Sequence, residues 1–153
     1  MRRKDKEITD KTLIEDILNR SELVRLAMVD GGEPYVVTLN YVYKDNALYI
    51  HSAPEGRKID ILRRNNRVAF TVDTDVSLYL GKEACDCTTH YKSVFGTGEA
   101  FFVEGLEEKA HALDWLMVKH GGQGNNAYPE SLLGRTAILR IAIESLTGKK
   151  SGF

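Results

Sequence analysis

Asn46-Ala47-Leu48-Tyr49-Ile50-His51-Ser52-Ala53-Pro54-Glu55-Gly56-Arg57-Lys58-Ile59-Asp60-Ile61-Leu62-Arg63-Arg64-Asn65-Asn66-Arg67-Val68-Ala69-Phe70-Thr71-Val72-Asp73 reads as strand, short loop, helix, strand. Leu48, Tyr49 and Ile50 are a strand-like apolar run that opens at His51-Ser52. Pro54 and Gly56 break it. Ile59, Ile61 and Leu62 give the next segment one apolar helical face, and Val68, Phe70 and Val72 alternate with Ala69 and Thr71 as a half-buried strand.

Charge placement in this stretch is unusual. Arg57 and Lys58 fall in the first turn of the predicted helix, where the macrodipole is already positive. Two cations there cost roughly a few tenths of a kcal/mol each. An anion at the helix start reverses the sign, because free backbone N–H groups, an Arg fork and a Lys ammonium all point at it. Ser52 and the Gly56 backbone add neutral donors, and so many convergent donors suit a phosphate better than a carboxylate. On the residues alone a second reading stands beside this one. Arg57 and Lys58 can be solvated surface residues whose cost Glu55 and Asp60 soften.

Outward from this stretch the pattern is mainly β. Thr9 or Asp10 caps a predicted helix with Leu13, Ile14, Ile17 and Leu18 on one face, ending near Asn19-Arg20-Ser21. A strand follows over Leu23–Val29, with Asp30-Gly31-Gly32-Glu33 as a tight turn into a second strand over Tyr35–Tyr43. Lys44-Asp45-Asn46 turns into the strand of the opening stretch, which makes an antiparallel meander. Val76–Leu80 reads as a short strand or loop. Residues 89–103 read as a long strand, bulged or bent at Gly96 and Gly98. A second helix opens at Gly105-Leu106-Glu107-Glu108 and runs to about His120, with Ala110, Leu113, Trp115, Leu116 and Met117 mostly inward. After a flexible loop at 121–126, Ala137–Ile143 is a last, largely buried strand. Residues 1–8 are expected to be a mobile charged extension, and Gly148–Phe153 a polar tail. There are no repeats, low-complexity tracts or linkers, so residues 1–153 are read as a single domain.

Composition narrows the function classes. The 153 residues are 42% hydrophobic, enough for a core without staples, and carry 21 basic and 22 acidic residues in a mixed distribution. A net charge of −1 gives no electrostatic case for nucleic acid or an anionic membrane. No segment approaches the roughly 20 apolar residues of a membrane span. Charges after Met1-Arg2-Arg3-Lys4 leave no room for a signal-peptide apolar region. Cys85 and Cys87, one residue apart, suit a disulfide framework poorly, so the reading is a cytoplasmic protein with free thiols. With His90 they do not complete a zinc site, which needs a fourth ligand and wider spacing. His111 and His120 lie on opposite faces of their helix, and no metal is expected. There is no Ser-His-Asp order, Walker loop or dinucleotide GxGxxG.

The run Leu48–Asp60 resembles the signature of the pyridoxamine 5'-phosphate oxidase-like split-barrel flavoproteins, most closely their nitroimidazole-resistance branch. Pro34–Tyr43 before it and Tyr91–Gly98 after it extend the similarity over nearly the whole chain. The resemblance implies an antiparallel split β-barrel with flanking helices, an α+β fold, and a homodimer with FMN in its interface. It implies that Arg57 and Lys58 hold the FMN phosphate with Ser52 nearby, and that Thr38, Leu39 and Asn40 line the ring. Ser93 would face the cofactor, and His51 would sit beside the flavin as the candidate catalytic residue. The chain departs from relatives that carry Pro at Thr38 and Asn-Pro-Arg at Asn65-Asn66-Arg67, and the Cys87–His90 segment is more often aromatic and basic. These changes touch the substrate face and leave the phosphate residues intact. The implied activity passes electrons from NADH or NADPH through FMN to a small acceptor such as a nitroimidazole. A non-catalytic flavin- or haem-binding protein on the same barrel is the alternative.

Overall fold

The computed structural model describes residues 3–153. A single turn at Lys4–Lys6 leads to β1 (Glu7–Ile8), α1 (Lys11–Arg20), β2 (Leu23–Asp30), β3 (Glu33–Asn40), β4 (Val42–Lys44) and β5 (Ala47–Ser52). Then come α2 (Arg57–Arg64), β6 (Arg67–Tyr79), β7 (Thr88–Phe102), α3 (Leu106–Lys119), α4 (Glu130–Gly134) and β8 (Ala137–Ser151).

Local chemistry sets the turns. Asp30 pairs with Glu33 and Lys44 with Ala47, so each hairpin loop is two residues long. Gly31 and Gly32 sit at φ 60° and 100°, Asp45 and Asn46 at 50° and 56°. Two left-handed central residues give the turn whose twist matches the strands it joins. Asp10 caps α1 by accepting from the Thr12 N–H at 2.9 Å.

The strands form one antiparallel sheet in the order β3-β2-β6-β7-β8-β5-β4, with β1 on the far end of β8. β3 and β4 are the two edges, yet only Tyr41 separates them in sequence. The sheet therefore curls on itself and leaves a seam, which is a split barrel. Ile17 and Leu18 of α1 and Ile59 and Leu62 of α2 join Leu26, Phe70, Leu48 and Ile141 in the barrel core. A second layer forms outside, where Ala112 and Leu116 of α3 cover Ala47, Tyr49 and Ile138. Trp115 meets the Tyr49 ring edge-on at 5.1 Å between centroids. Burial on both faces explains why β5 reads as a continuous apolar run.

Several expectations are corrected. Residues 3–8 are structured, because Glu7 and Ile8 pair with Lys149 and Gly148; the expectation for residues 1 and 2 lies outside the described residues. The predicted strand Tyr35–Tyr43 is two strands. Tyr41 turns its side chain into the core, where the hydroxyl donates to the Leu18 carbonyl at 2.5 Å. β6 continues through Val76–Tyr79, and the polar tail is the end of β8, paired to β7 as far as Ser151. Met117 is exposed, and α4 has no counterpart in the reading.

Candidate functional site

The start of α2 lies one short loop beyond the end of β5. Gly56 takes φ 115°, which a side chain rarely tolerates, and space around it is open. The Ile59 and Asp60 N–H groups both donate to the Gly56 carbonyl, at 2.9 and 3.1 Å. Among the described residues, the Arg57 and Lys58 N–H groups have no backbone acceptor and no side-chain cap. They are the orphan donors of a helix start, and the dipole adds positive potential there. Buried Ile59, Ile61 and Leu62 fix the helix on the core, so the donors are held in place.

The two residues that carry these donors are cationic, and their side chains are held differently. Arg57 donates through Nε to Asp30 Oδ2 at 3.0 Å, and its guanidinium lies 4.5 Å from the Tyr35 ring centre. Arg64 donates to the other Asp30 oxygen at 2.8 Å. One carboxylate at the end of β2 thus orients two arginines and ties α2 to the β2–β3 turn. Sequence reasoning missed Asp30, Tyr35 and Arg64, because an Asp before Gly31-Gly32 reads simply as a turn former. Arg57 keeps its terminal nitrogens for another partner, and Lys58 has no ion pair among the described residues. Asp30 offsets one of the three positive charges, and Asp60 in the first turn and Glu55 just before it add further negative charge. Ser52 is buried, and its hydroxyl donates to the Ala53 carbonyl at 2.9 Å.

The other predicted residues are dispersed within one chain. Thr38 and Asn40 lie on the outer face of β3 and are exposed, whereas Leu39 turns inward against the core. Ser93 on β7 pairs with Asp73 and shares the outer face, three strands from Thr38. At one strand spacing per step that is about 14 Å. His51 is exposed and pairs with Ile138, so it points to the α3 side of β5, opposite Ser52. A single chain gathers Arg57, Lys58 and Ser52 at one end and leaves Thr38, Asn40 and Ser93 spread over an open sheet face.

A family model described as pyridoxamine 5'-phosphate oxidase matches residues 10–150. The chain belongs to this family. A candidate 5-nitroimidazole antibiotic resistance protein of Bacteroides thetaiotaomicron has a similar structure, with TM-score 0.83 and 32% identity, covering 94% of this chain and 86% of that one. An FAD-binding protein of Mesorhizobium loti is 28% identical with TM-score 0.69, covering 94% of this chain and 96% of that one. An FAD and heme binding protein of Mycobacterium smegmatis, at 20% identity and TM-score 0.86, shares the fold over 97% of this chain and 74% of its own. Among curated proteins, an uncharacterized protein of Rhizobium meliloti (strain 1021) is 28% identical over 144 residues, 88% of each chain. Among the described residues no helix is long and apolar enough to cross a membrane.

The α2 start fits the phosphate end of a flavin. Its two orphan N–H groups, Lys58 (without an ion pair among the described residues) and the partly free Arg57 fork are all donors, gathered within the first turn of one helix.

Proposed function

We propose that this family member is an FMN-dependent oxidoreductase that works as a homodimer. The observation that carries the reading is the donor set at Gly56-Arg57-Lys58. A terminal phosphate is a monoester close to a dianion, and it matches two cations plus two N–H groups. The diphosphate of FAD spreads the same charge over two diester units and must continue into an adenylate. Bound there, FMN would exchange hydride and electrons between NADH or NADPH and a small acceptor such as a nitroimidazole. The protein's residues would do the rest: Arg57, Lys58 and Ser52 hold the phosphate end, and Thr38, Leu39 and Asn40 line the ring.

The open sheet face supports the dimer. Leu23, Val36 and Phe95 are exposed on it, Val36 at 57%, around the polar Arg25–Asp73 pair. An uncovered patch of this kind marks an interaction surface. A second copy of the chain brings its own Ser93 to the first copy's Thr38, which one chain holds three strands apart. Two of the similar structures are named for FAD, so the two flavins must be compared directly. Isothermal titration should find FMN bound more tightly than FAD, and equal affinity would overturn the phosphate-end assignment.

A second reading, a flavin- or haem-binding protein without turnover, is favoured by the position of His51 on the α3 side of β5. Steady nicotinamide consumption with a nitro acceptor separates the two readings.

A further inference from the structure

The hairpin joining β6 to β7 carries both cysteines of the chain. Its ladder ends at Tyr79 opposite Thr88, so residues 80–87 form the tip. At its base the His90 ring stacks on Tyr79 at 5.4 Å and lies 5.9 Å from Phe153. At the tip, Ala84–Asp86 form one tight helical turn, closed by Asp86 N–H to Glu83 O at 3.0 Å and Cys87 N–H to Ala84 O at 3.3 Å. Gly81 packs against this turn so closely that an added Cβ would stand 2.3 Å from the Asp86 Cβ. The two sides of the loop therefore meet at the residue between the cysteines.

Both thiols are exposed. The Cys85 thiol points at Asp86 Oδ1, 3.9 Å away, and the Cys87 thiol at the Glu83 carbonyl, 3.8 Å away. Helical backbone at Asp86 places the Cα atoms of Cys85 and Cys87 about 5 Å apart. That is inside the range of about 4.4–6.8 Å that a disulfide spans, whereas the same residues in a strand would stand near ~6.6 Å, at its limit. Among the described residues no group of three metal-ligating side chains converges, so the pair lacks the further ligands of a zinc site.

We propose that Cys85 and Cys87 are a redox-active dithiol that closes to an intrachain disulfide by exchange with small-molecule disulfides. One thiolate attacks a sulfur of the small disulfide, forming a mixed disulfide and releasing one thiol. The second thiolate attacks the protein sulfur of that bond and releases the second thiol. Two electrons pass from the protein to the small disulfide, and the two thiol protons go to the leaving thiolates. This inference is independent of the flavin assignment.

The test equilibrates the reduced full-length protein with oxidised and reduced glutathione, quenches with acid and weighs the intact chain. The wild type should lose the mass of two hydrogen atoms and retain no glutathione. Cys85→Ser and Cys87→Ser should each retain one glutathione. Gly81→Ala, which keeps both thiols but forces the loop open, should weaken closure about tenfold, which is about 30 mV toward easier reduction. Wild-type protein that carries glutathione on both cysteines, or that links chain to chain, would overturn the proposal. So would an unchanged closure constant in Gly81→Ala.

Discussion

Asp75 shows how one residue can be conformationally unfavourable and still be held. It sits at φ 55°, where the β6–β7 register shifts between Thr74 and Ser77, and a left-handed non-glycine costs roughly 1–2 kcal/mol. Its carboxylate accepts from Arg20 and, at 3.1 Å, from Lys92. Those hydrogen bonds, that of Arg20 foremost, hold its pKa below the ordinary carboxylate value. A lowered folded pKa gives stability that is present above the unfolded value of about 4 and lost as pH falls below it. Urea unfolding should show the advantage of the wild type over Asp75→Asn shrinking between about pH 5 and 3; an advantage independent of pH would exclude this role. Lys58 is the opposite case, a cation with no ion pair among the described residues. Lys58→Ala should leave stability within about 0.5 kcal/mol of wild type. FMN affinity should fall about tenfold, the value of one charge-assisted contact.

Among the elements, those built from local signals were legible in the sequence. β5, α2 and the start of β6 follow from an apolar run, two breakers and an alternation, all within one stretch. Tyr41 carries no such mark, because what breaks β3 from β4 is a hydroxyl reaching the Leu18 carbonyl on another element. The end of β8 reads as a polar tail for a similar reason. Gly148 is there because a Cβ would stand 2.7 Å from Ile8 Cβ, a contact made only after β1 docks. Gly98, expected as a bulge, does sit at one. Its missing Cβ would lie 2.2 Å from the Ala142 carbonyl oxygen, which is backbone and cannot yield. Gly98→Ala should therefore destabilise by about 1–3 kcal/mol in denaturant melts, the usual range for overpacking.

The contact of α3 with α1 has its own pH signature. Lys119 lies 3.5 Å from the Tyr41 ring centre and donates to the Leu18 carbonyl at 3.4 Å. Burial lowers its pKa to about 8, with Glu22 opposing the drop. Below pH 8 both folded and unfolded states carry the proton, and above about 10 neither does. Between these values the unfolded state binds more protons, so stability rises with pH. The side chain is only partly buried, so the rise, measured against Lys119→Met, should be about 1 kcal/mol; a flat difference would contradict it.

At the scale of the whole molecule, the sequence brings the proposed phosphate residues together and leaves the proposed ring residues spread out. Arg57 and Lys58 are neighbours on one helix start, so pattern alone brings them together. Thr38 and Ser93 belong to strands three places apart, and no single chain unites them. That separation is the physical reason to expect two chains at each flavin. Phe95→Glu, placed on the open face, should give a monomer by sedimentation and weaken FMN binding without unfolding the barrel. A wild-type monomer carrying FMN would rule the dimer out. The proposed phosphate site is tested by FMN and riboflavin affinities for wild type and Arg57→Ala, compared as a cycle. Arg57 also holds Asp30 and covers Tyr35, so riboflavin, which lacks the phosphate, reports any structural loss. Charge-assisted hydrogen bonds of roughly 1.5–3 kcal/mol predict that FMN binding weakens about ten- to a hundredfold while riboflavin binding barely moves. An equal loss for both ligands would contradict the account and remove the start of α2 as the phosphate site.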